Sequence, residues 1–393
     1  MKQGWEIKKL GDITTSINGL WTGKKPPFIT IAVIRNTNFT KDCKLDTSDI
    51  AYIDVEVKQY ASRKLQCGDI IIEKSGGSDK QPVGRPILFN IEEGEYSFSN
   101  FTSTLRVSDK TTILPEFIHR YLAYIYMRGG TAAMQSKTTG IRNLDFNLYK
   151  SINIPIPPRE EQEKIVAELD CLSGIIERKR EQLRELDALA QSIFYQMFGD
   201  PITNEKGWEV KKLGEVCKTT SGGTPSKGHN EYYEGGTIPW LRSGEVNKMY
   251  IYDTELFITE EGLKNSSAKW FPENTVVVAM YGATVGQVGI LKSKMTTNQA
   301  ICGIFPNEYL IPTYLYHFLL SKKEEYLKLA TGGAQPNISQ NIVRDTLVCC
   351  PTIAQQQQFA EKIEKIEQQK ELIKKSISET ENLFNARMDY YFN

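Results

Sequence analysis

Short polar segments that contain glycine recur in two regions of the chain, and their residue types suit contact with nucleic acid. Arg, Lys, Asn, Gln, Ser and Thr side chains pair with base edges and phosphates, and glycine lets backbone N–H groups approach a phosphate. In the first region the candidate DNA-contacting residues are Lys24, Lys25, Arg35, Asn36, Lys74, Ser75, Gly76, Gly77, Lys80, Gln81, Arg85, Asn100 and Thr102. In the second region they are Ser221, Gly222, Gly223, Thr224, Ser226, Lys227, Arg242, Ser243, Tyr281, Thr284, Gln287, Asn298 and Gln299. The same residue types also build ordinary turns, so this pattern alone leaves both interpretations open.

Motifs that carry catalysis or bind nucleotides are missing from the sequence. No GxxxxGK[ST] phosphate loop is present, no GxGxxG links a strand to a helix, and HExxH, GxSxG and Asn/Asp-Pro-Pro-Tyr/Phe segments do not occur. The seven cysteines show no CxxC spacing and the three histidines are far apart, so no metal site is predicted. We therefore predict no catalytic residues and no metal ligands, which favours a binding protein over an enzyme.

The composition is that of a globular protein, and its charge is unevenly distributed. The 393 residues suggest two to three domains, and 40% hydrophobic content is typical of a soluble chain. The absence of a long apolar run or a secretory signal predicts a cytoplasmic location. The net charge is zero, but residues 1–157 hold 21 Lys+Arg against 16 Asp+Glu, and residues 158–200 hold 6 against 10. The balanced total therefore conceals a basic first region, whereas residues 201–352, with 15 of each sign, must form a basic face by arrangement.

A stretch over residues 159–198 has no proline and one glycine, and its apolar residues recur every 3.5 positions. This spacing predicts a helix about 60 Å long that packs along its whole length against another helix. Residues 353–393 repeat the pattern at a fixed offset of 194 and supply the predicted partner. Lys179 and Lys370 occupy seam positions, where a polar residue either fixes the helix register or extends to solvent. The predicted helix-packing seam consists of Ile165, Leu169, Leu172, Ile176, Leu183, Leu186, Ile193, Phe359, Ile363, Ile366, Ile373, Ile377 and Phe384.

The chain contains an internal repeat. GWEIKKLG at residues 4–11 returns as GWEVKKLG at residues 207–214, and β-branched runs at 69–73 and 275–279 each predict a buried strand followed by a glycine-containing loop. The predicted fold class is α+β: two mixed α/β globular domains joined by two long antiparallel coiled-coil helices in a pseudo-twofold, circularly permuted repeat. The predicted boundaries are 1–157 for the first domain, 158–200 for the first helix, 201–352 for the second domain and 353–393 for the second helix.

These features resemble the specificity subunit of a type I restriction–modification enzyme. GGTPS (222–226), IPWLRSGEV (238–246), TEEGLKNSSAK (259–269) and MYGATVGQVG (280–289) are similar to one common form of its target recognition domain. EKSGG (73–77), QPVGR (81–85) and YSFSNFT (96–102) are similar to another form. PPREEQ (157–162) resembles the usual beginning of the family's conserved helix, and PTIAQQQ (351–357) keeps only its outline. The resemblance covers essentially the whole chain.

The resemblance implies a non-catalytic DNA-binding subunit whose two target recognition domains each read one half of a bipartite, asymmetric target. It implies that the helices set the half-site spacing and dock two methyltransferase (modification) subunits. Restriction/translocase subunits would complete a DNA adenine methyltransferase and ATP-dependent endonuclease. S-adenosylmethionine, ATP and magnesium are then expected on partner subunits, with no cofactor on this chain and no membrane partner. Two other classes stay open: a coiled-coil adaptor that scaffolds partners without reading DNA and, least favoured, an enzyme with an unrecognised site.

Overall fold

The computed structural model describes residues 4–21, 23, 25–78, 81–138, 141–333 and 336–393, which group into two compact units. Unit 1 comprises Met1–Arg178 and Ser376–Asn393, and unit 2 comprises Lys179–Lys375. Two long helices, α5 (Arg159–Phe198) and α11 (Ile353–Phe392), each contribute one part to each unit. In the described part of the chain, no helix combines the length and apolar composition needed to cross a membrane.

Unit 1 is a mixed α/β globule. Its strands are β1 (Glu6–Lys9), β2 (Thr14–Asn18), β3 (Phe28–Ile34), β4 (Ala51–Glu56), β5 (Asp69–Glu73), β6 (Ser75–Gly77), β7 (Pro86–Phe89), β8 (Tyr96–Phe98), β9 (Thr102–Val107), β10 (Gln135–Thr138), β11 (Ile141–Leu144) and β12 (Asn153–Ile156). Its shorter helices are α1 (Leu10–Ile13), α2 (Val57–Arg63), α3 (Pro115–Met127) and α4 (Phe146–Lys150). An antiparallel sheet has the order β2-β9-β5-β7, and a second sheet, β4-β3-β8, contains the parallel pair β3/β8.

Unit 2 repeats this plan. Its strands are β13 (Val210–Lys212), β14 (Thr219–Ser221), β15 (Ile238–Leu241), β16 (Tyr250–Ile251), β17 (Phe257–Ile258), β18 (Trp270–Phe271), β19 (Val276–Ala279), β20 (Val288–Leu291), β21 (Met295–Thr297), β22 (Ile301–Ile304) and β23 (Leu347–Cys349). Its shorter helices are α6 (Leu213–Val216), α7 (Glu260–Lys264), α8 (Pro312–Ser321), α9 (Lys323–Leu329) and α10 (Gln340–Arg344). The sheets are β14-β22-β19-β20-β16 and β17-β15-β21-β18, and the parallel pair is β15/β21. The order β2-β9-β5-β7 corresponds to β14-β22-β19-β20, and β4-β3-β8 corresponds to β17-β15-β21, so the sequence repeat is a structural repeat. Strands β16 and β18 are additional in unit 2.

The β-branched runs form the central strands of both cores. In unit 1, Ile70 and Ile72 of β5 face the cluster that contains α3, whereas Ile71 faces the opposite cluster with Phe98. In unit 2, β19 divides its side chains in the same way, with Val276 and Val278 on one face and Val277 on the other. Burial of one such aliphatic side chain stabilises a fold by about 1.5–3 kcal/mol. These strands therefore fix the positions of the loops that follow them.

A buried glutamine attaches each long helix to its globule. In unit 1, Gln162 Oε1 accepts a hydrogen bond from the backbone N–H of Leu114, before α3, and Gln162 Nε2 donates to the Pro157 carbonyl. In unit 2, Gln356 Oε1 accepts from the N–H of Ile311, before α8, and Gln356 Nε2 donates to the Pro351 carbonyl. The two glutamines are 194 residues apart, which is the offset of the heptad pattern. The helix attachment is thus duplicated together with the helices.

Within each unit, the parts of α5 and α11 pack against each other. In unit 2, Phe198 contacts Phe359, with ring centroids 5.3 Å apart, and Asp187 pairs with Lys370, so the two segments are antiparallel. In unit 1, Glu168 of α5 pairs with Arg387 of α11. The structure places every residue of the predicted seam in a buried or half-buried position. Lys370 forms a cross-helix ion pair instead of extending freely to solvent, and Lys179 is half-buried.

Candidate nucleic-acid interface

In unit 1, the ends of two parallel strands bring several candidate residues together. Because β3 and β8 are parallel, Ile34 and Phe98 end at the same edge of their sheet. Arg35 and Asn36 follow β3, Asn100 lies two residues after β8, and the N–H of Ser99 donates to the Ile34 carbonyl at 2.9 Å. Two segments that are distant in sequence therefore share one surface.

The glycine loop after β5 joins the same surface. The N–H groups of Lys74 and Ser75 donate to the Phe101 carbonyl at 2.8 and 3.1 Å, and Asn36 Nδ2 donates to the Ser75 carbonyl at 2.7 Å. We call the combined surface the unit 1 face, and it consists of Arg35, Asn36, Lys74, Ser75, Gly76, Ser99 and Asn100.

Unit 2 has the corresponding arrangement. Arg242 and Ser243 follow β15, Asn298 and Gln299 follow β21, and the N–H of Asn298 donates to the Leu241 carbonyl at 2.9 Å. The N–H of Gly223 donates to the Thr297 carbonyl at 2.9 Å, and a Cβ on Gly222 would overlap that carbonyl, so only glycine fits there. We call this surface the unit 2 face, and it consists of Gly222, Gly223, Thr224, Arg242, Ser243, Asn298 and Gln299.

Three further candidates of unit 2 adjoin its face. Lys227 lines a cavity of about 300 Å³ together with Thr224, Arg242, Asn298 and Gln299. Tyr281 is exposed, and the preceding residue, Met280, donates its N–H to the carbonyl of Ala300, the residue after Gln299. Thr284 Oγ1 donates to the Tyr281 carbonyl at 2.9 Å, which holds the loop after β19 closed.

Both faces contain buried polar atoms without an intramolecular partner. Among the described residues, Arg35 Nε, Asn36 Oδ1 and Ser99 Oγ in unit 1, and Asn298 Oδ1 in unit 2, are shielded from solvent and make no hydrogen bond. A buried polar atom that lacks a partner costs about 1–3 kcal/mol. The same condition occurs away from the faces, at Tyr60 Oη, Thr104 Oγ1 and His317 Nε2, so it does not by itself mark a binding surface.

The two faces differ in charge. In unit 1, the Arg35 guanidinium lies 3.6 Å from Asp49, and partial burial lowers the pKa of Lys74, whose Nζ donates to Asn18 Oδ1 at 3.1 Å. In unit 2, Arg242 is held between two carboxylates, Glu245 at 3.2 Å and Glu255 at 2.6 Å. Acidic neighbours therefore neutralise Arg242 of unit 2 more fully than Arg35 of unit 1. This difference agrees with the balanced charge of residues 201–352.

Arg85 is a correction to the sequence-based prediction. Its side chain is 3% exposed and forms an ion pair with Glu73 at 3.1 Å. Arg85 Nη1 also donates to the carbonyls of Phe39 and Thr40 at 2.8 and 3.2 Å. A guanidinium buried in this way stabilises the loop after β3 and does not reach a surface ligand.

Thr102 is a second correction, because it is fully buried and its hydroxyl donates to the Ser99 carbonyl at 2.8 Å. Gly77 is also buried, while Gln81, Ser226 and Lys25 are exposed and Ser221 and Gln287 are half-buried. Lys25 donates its backbone N–H to Glu56 Oε1 at 2.7 Å. The predicted contacts at Lys24 and Lys80 lie outside the described residues.

A strand pairing or bridge beside each face was not predicted from the sequence. In unit 1, Asn143 of β11 pairs with Ser75 of β6, and their side chains are hydrogen-bonded to each other. In unit 2, Asn337 forms an isolated bridge with Tyr281. The signal was the Thr-Gly pattern at residues 138–140 and 331–333, which occurs at corresponding places in both halves.

The most deeply placed titratable groups lie in the cores. His119 Nε2 lies 2.9 Å from the Cys43 carbonyl, and burial lowers the pKa of His119 to about 3 and that of His317 to about 4. Burial raises the pKa of Cys43, Cys217 and Cys302 to about 12, so these thiols stay protonated. Within the described ranges, no group of three or more His, Cys, Asp or Glu side chains is arranged to hold a metal ion.

Comparison with protein families gives one match along most of the chain. The model of the type I restriction modification DNA specificity domain matches residues 2–187 and again residues 205–382. The two matched segments correspond to the two halves of the sequence repeat.

The individual relatives have low sequence identity to this chain. The chain is 28% identical over 252 residues to the EcoR124I/EcoR124II specificity subunit of Escherichia coli, and the match covers 62% of each chain. It is 34% identical over 160 residues to the MjaIX specificity subunit of Methanocaldococcus jannaschii, covering 39% of this chain and 37% of that one. These two matches span less than two thirds of the relatives' lengths. A putative MjaX specificity subunit is 22% identical over 397 residues, covering 96% of this chain and 90% of its own length.

Two solved structures have a similar fold. The S subunit of a type I restriction–modification system from M. genitalium matches with a TM-score of 0.57 at 14% identity, covering 99% of this chain and 96% of that chain. A chain from a study of complex assembly and conformational transition of the type I R-M system matches with a TM-score of 0.59 at 18% identity, covering 100% and 98%. At these identities the similarity establishes the fold only.

Proposed function

Because this chain belongs to the family defined by the type I restriction modification DNA specificity domain, we propose that it recognises DNA sequence within a type I restriction–modification complex. Each unit would read one half of a bipartite target through its face. The observation that carries the proposal is the duplicated face itself. In each unit, two parallel strands end at one sheet edge and place polar side chains beside a glycine-containing segment. Base edges in a DNA groove supply both donors and acceptors.

The proposal predicts two different half-sites. The unit 1 face presents Arg35 and Lys74 beside Asn36, whereas the unit 2 face presents the amides Asn298 and Gln299 beside Thr224. Arginine pairs most specifically with guanine, and asparagine or glutamine with adenine. Two faces of different chemistry on one chain make the complete target asymmetric.

The helices and the partners follow from the same proposal. Helices α5 and α11 are continuous over forty residues each, and we assign them the roles of setting the half-site spacing and docking two methyltransferase subunits. Restriction/translocase subunits would join that complex. This chain would be non-catalytic, and S-adenosylmethionine, ATP and magnesium would be bound by the partner subunits.

A scaffold that never contacts DNA is less well supported. The paired helices suit an adaptor equally well, but an adaptor does not account for polar, glycine-containing faces at corresponding places in both units. The observation that distinguishes the two functions is therefore located in the globules and not in the helices.

The experiment is duplex binding by the full chain assembled with its methyltransferase subunits. We expect salt-sensitive, sequence-specific binding. A double variant of unit 1, Arg35→Ala with Asn36→Ala, should lose about 5- to 150-fold in affinity, with discrimination relaxed in one half-site only. The unit 2 variant, Asn298→Ala with Gln299→Ala, should relax the other half-site.

A matched control uses Arg184 on α5, an exposed arginine that is ion-paired with Glu181. Arg184→Ala should leave sequence discrimination unchanged. The proposal would be refuted if both face variants kept the sequence discrimination of the wild type. It would also be refuted if each variant lost discrimination equally at both half-sites.

A further inference from the structure

Two aromatic side chains are exposed beside the unit 1 face. Trp21 is 65% exposed and Phe101 is 47% exposed. The other tryptophans of the chain, Trp5, Trp208, Trp240 and Trp270, are buried or half-buried. Large aromatic side chains in water forgo considerable burial energy, and tryptophan in particular is enriched where a partner binds.

Phe101 lies on the loop that follows β8, and Trp21 lies on the segment after β2 whose backbone contacts that loop. The N–H of Leu20 donates to the Phe98 carbonyl at 2.9 Å, and a Cβ on Gly19 would overlap the Ser99 carbonyl. Trp21 therefore directly follows a residue whose backbone contacts the segment that carries the unit 1 face. Phe101 lies two residues after Ser99, and its ring lies 3.9 Å from the position of a Cβ on Gly76. The two aromatic residues approach the face from two different chain segments.

Unit 2 has the same backbone arrangement without the aromatic side chains. A Cβ on Gly222 would overlap the Asn298 carbonyl as one on Gly19 would overlap that of Ser99, and Gly223 donates to Thr297 as Leu20 does to Phe98. Thr224 is consequently the counterpart of Trp21. Ala300 is the counterpart of Phe101, because its carbonyl accepts from the N–H of Met280 as that of Phe101 accepts from Lys74.

We propose that Trp21 and Phe101 contact the apolar parts of nucleotides in the half-site that unit 1 reads, which adds an aromatic readout that unit 2 lacks at these positions. The inference rests on the proposed function. DNA is the occupant that fits, because the segments of both aromatic residues are hydrogen-bonded to the backbone that carries the unit 1 face and its cations. The Phe101 carbonyl accepts from Lys74, and Leu20, next to Trp21, donates to Phe98. Aromatic side chains contact DNA either at the thymine methyl group or as a wedge at a deformable base step.

The test uses the full chain in its complex with the methyltransferase subunits, and duplexes that carry the mapped target. Trp21→Ala and Phe101→Ala should each weaken binding by about 5- to 150-fold, which is the range for loss of one aromatic–base stacking contact with single-stranded nucleic acid. Discrimination should fall in the unit 1 half-site and stay unchanged in the other half. Trp21→Phe should restore part of the affinity, because phenylalanine keeps an aromatic face.

The control is Tyr252→Ala, which removes an aromatic residue that is 62% exposed in unit 2. It should leave discrimination in the unit 1 half-site unchanged. Replacing each thymine of that half-site by uracil separates the two modes of contact. If a ring contacts a thymine methyl group, one uracil duplex should bind the wild-type complex more weakly but should bind the alanine variants with unchanged affinity. If a ring acts as a wedge, the affinity lost should instead depend on the flexibility of the base step at which it inserts.

Several results would overturn the inference. Wild-type affinity and discrimination in both alanine variants would show that the rings do not contact DNA, while the proposed function would stand. Failure of Trp21→Ala to assemble with methyltransferase subunits, with normal DNA binding by the complexes that do form, would assign the rings to a protein partner. Absence of any sequence preference in the wild-type complex would refute the proposed function and this inference together. Since both side chains are exposed, thermal unfolding of the variants should match wild type.

Discussion

Two arginines with similar sequence surroundings have opposite roles in unit 1. Arg35 follows a strand and lies at the unit 1 face, half-exposed and 3.6 Å from Asp49. Arg85 also lies in a polar, glycine-containing segment, but it is buried against Glu73 and the Phe39 carbonyl. Burial raises the pKa of Glu73, and the charge of Arg85 only partly offsets this effect. The charged form of Glu73 is therefore stabilised by Arg85.

We predict that Arg85→Ala destabilises the protein by about 3–5 kcal/mol, because it leaves the Glu73 carboxylate buried without a partner. Arg35→Ala should change stability by less than about 1 kcal/mol, because its ion pair is exposed to solvent. Thermal and urea unfolding of the two variants provide the comparison.

Replacement of both partners is the control for that prediction. Glu73→Leu with Arg85→Met should be far more stable than Arg85→Ala alone, since apolar replacement of a buried pair is often neutral. Normal stability together with weakened DNA binding in Arg85→Ala would contradict the structural role and restore the original sequence-based prediction for this residue.

Residue types predicted only some of the residues on the two candidate faces. Arg35, Asn36, Arg242, Asn298 and Gln299 lie on the faces, and their polar, glycine-rich segments indicated them. Arg85 and Thr102 carried the same signal, yet they point into the core, because β-strand direction and not composition decides which side chains emerge. Asn143 reaches the surface of unit 1 through pairing with a strand almost seventy residues away, which local sequence does not reveal.

At the scale of elements, Lys370 links the two long helices in unit 2. Its Nζ lies 2.7 Å from Asp187 on α5 and 2.7 Å from Glu367 on its own helix, and its side chain is 14% exposed. Burial alone would lower the pKa of Lys370, but the hydrogen bonds and charges of Asp187 and Glu367 outweigh it and raise the pKa. The stabilisation is therefore fully present at neutral pH and is lost only as the pH rises through the pKa of the folded protein.

We predict that Lys370→Leu destabilises unit 2 by about 1–3 kcal/mol despite filling an apolar seam, because Glu367 is left buried without its partner. Glu367→Leu combined with Lys370→Leu should recover most of the loss. Lys374→Ala, which breaks the exposed pair with Glu371, is the matched control and should cost less than about 1 kcal/mol. A gain in stability in Lys370→Leu alone would show that the pair contributes nothing.

The elements differ in how far sequence predicts them. The helix expected over residues 159–198 spans Arg159–Phe198, because a 3.5-residue period is a local property of the chain. The buried strands β5 and β19 were equally visible as β-branched runs. The parallel pairs β3/β8 and β15/β21 were not visible, because their partners are more than fifty residues apart, and the two faces depend on them.

At the scale of the whole molecule, one scaffold occurs twice with different loops. The order of the corresponding strands, the buried glutamine (Gln162 or Gln356) and the parallel strand pair are common to both units. The residues on and beside the faces differ; for example, Trp21 in unit 1 corresponds to Thr224 in unit 2. Duplication of the scaffold was evident from the sequence, since both the helices and the GWE(I/V)KKLG segment repeat. The bases that each face reads depend on side-chain geometry against DNA, which no repeat encodes.

Genome-wide mapping of methylated adenines tests sequence recognition directly. The host is compared with a strain that lacks this gene and with strains that carry Arg35→Ala with Asn36→Ala, or Asn298→Ala with Gln299→Ala. We predict one bipartite methylated motif that disappears with the gene and that is altered in one half by the first variant and in the other half by the second. Persistence of every bipartite motif in the deletion strain would contradict the assignment of this chain as the subunit that reads DNA.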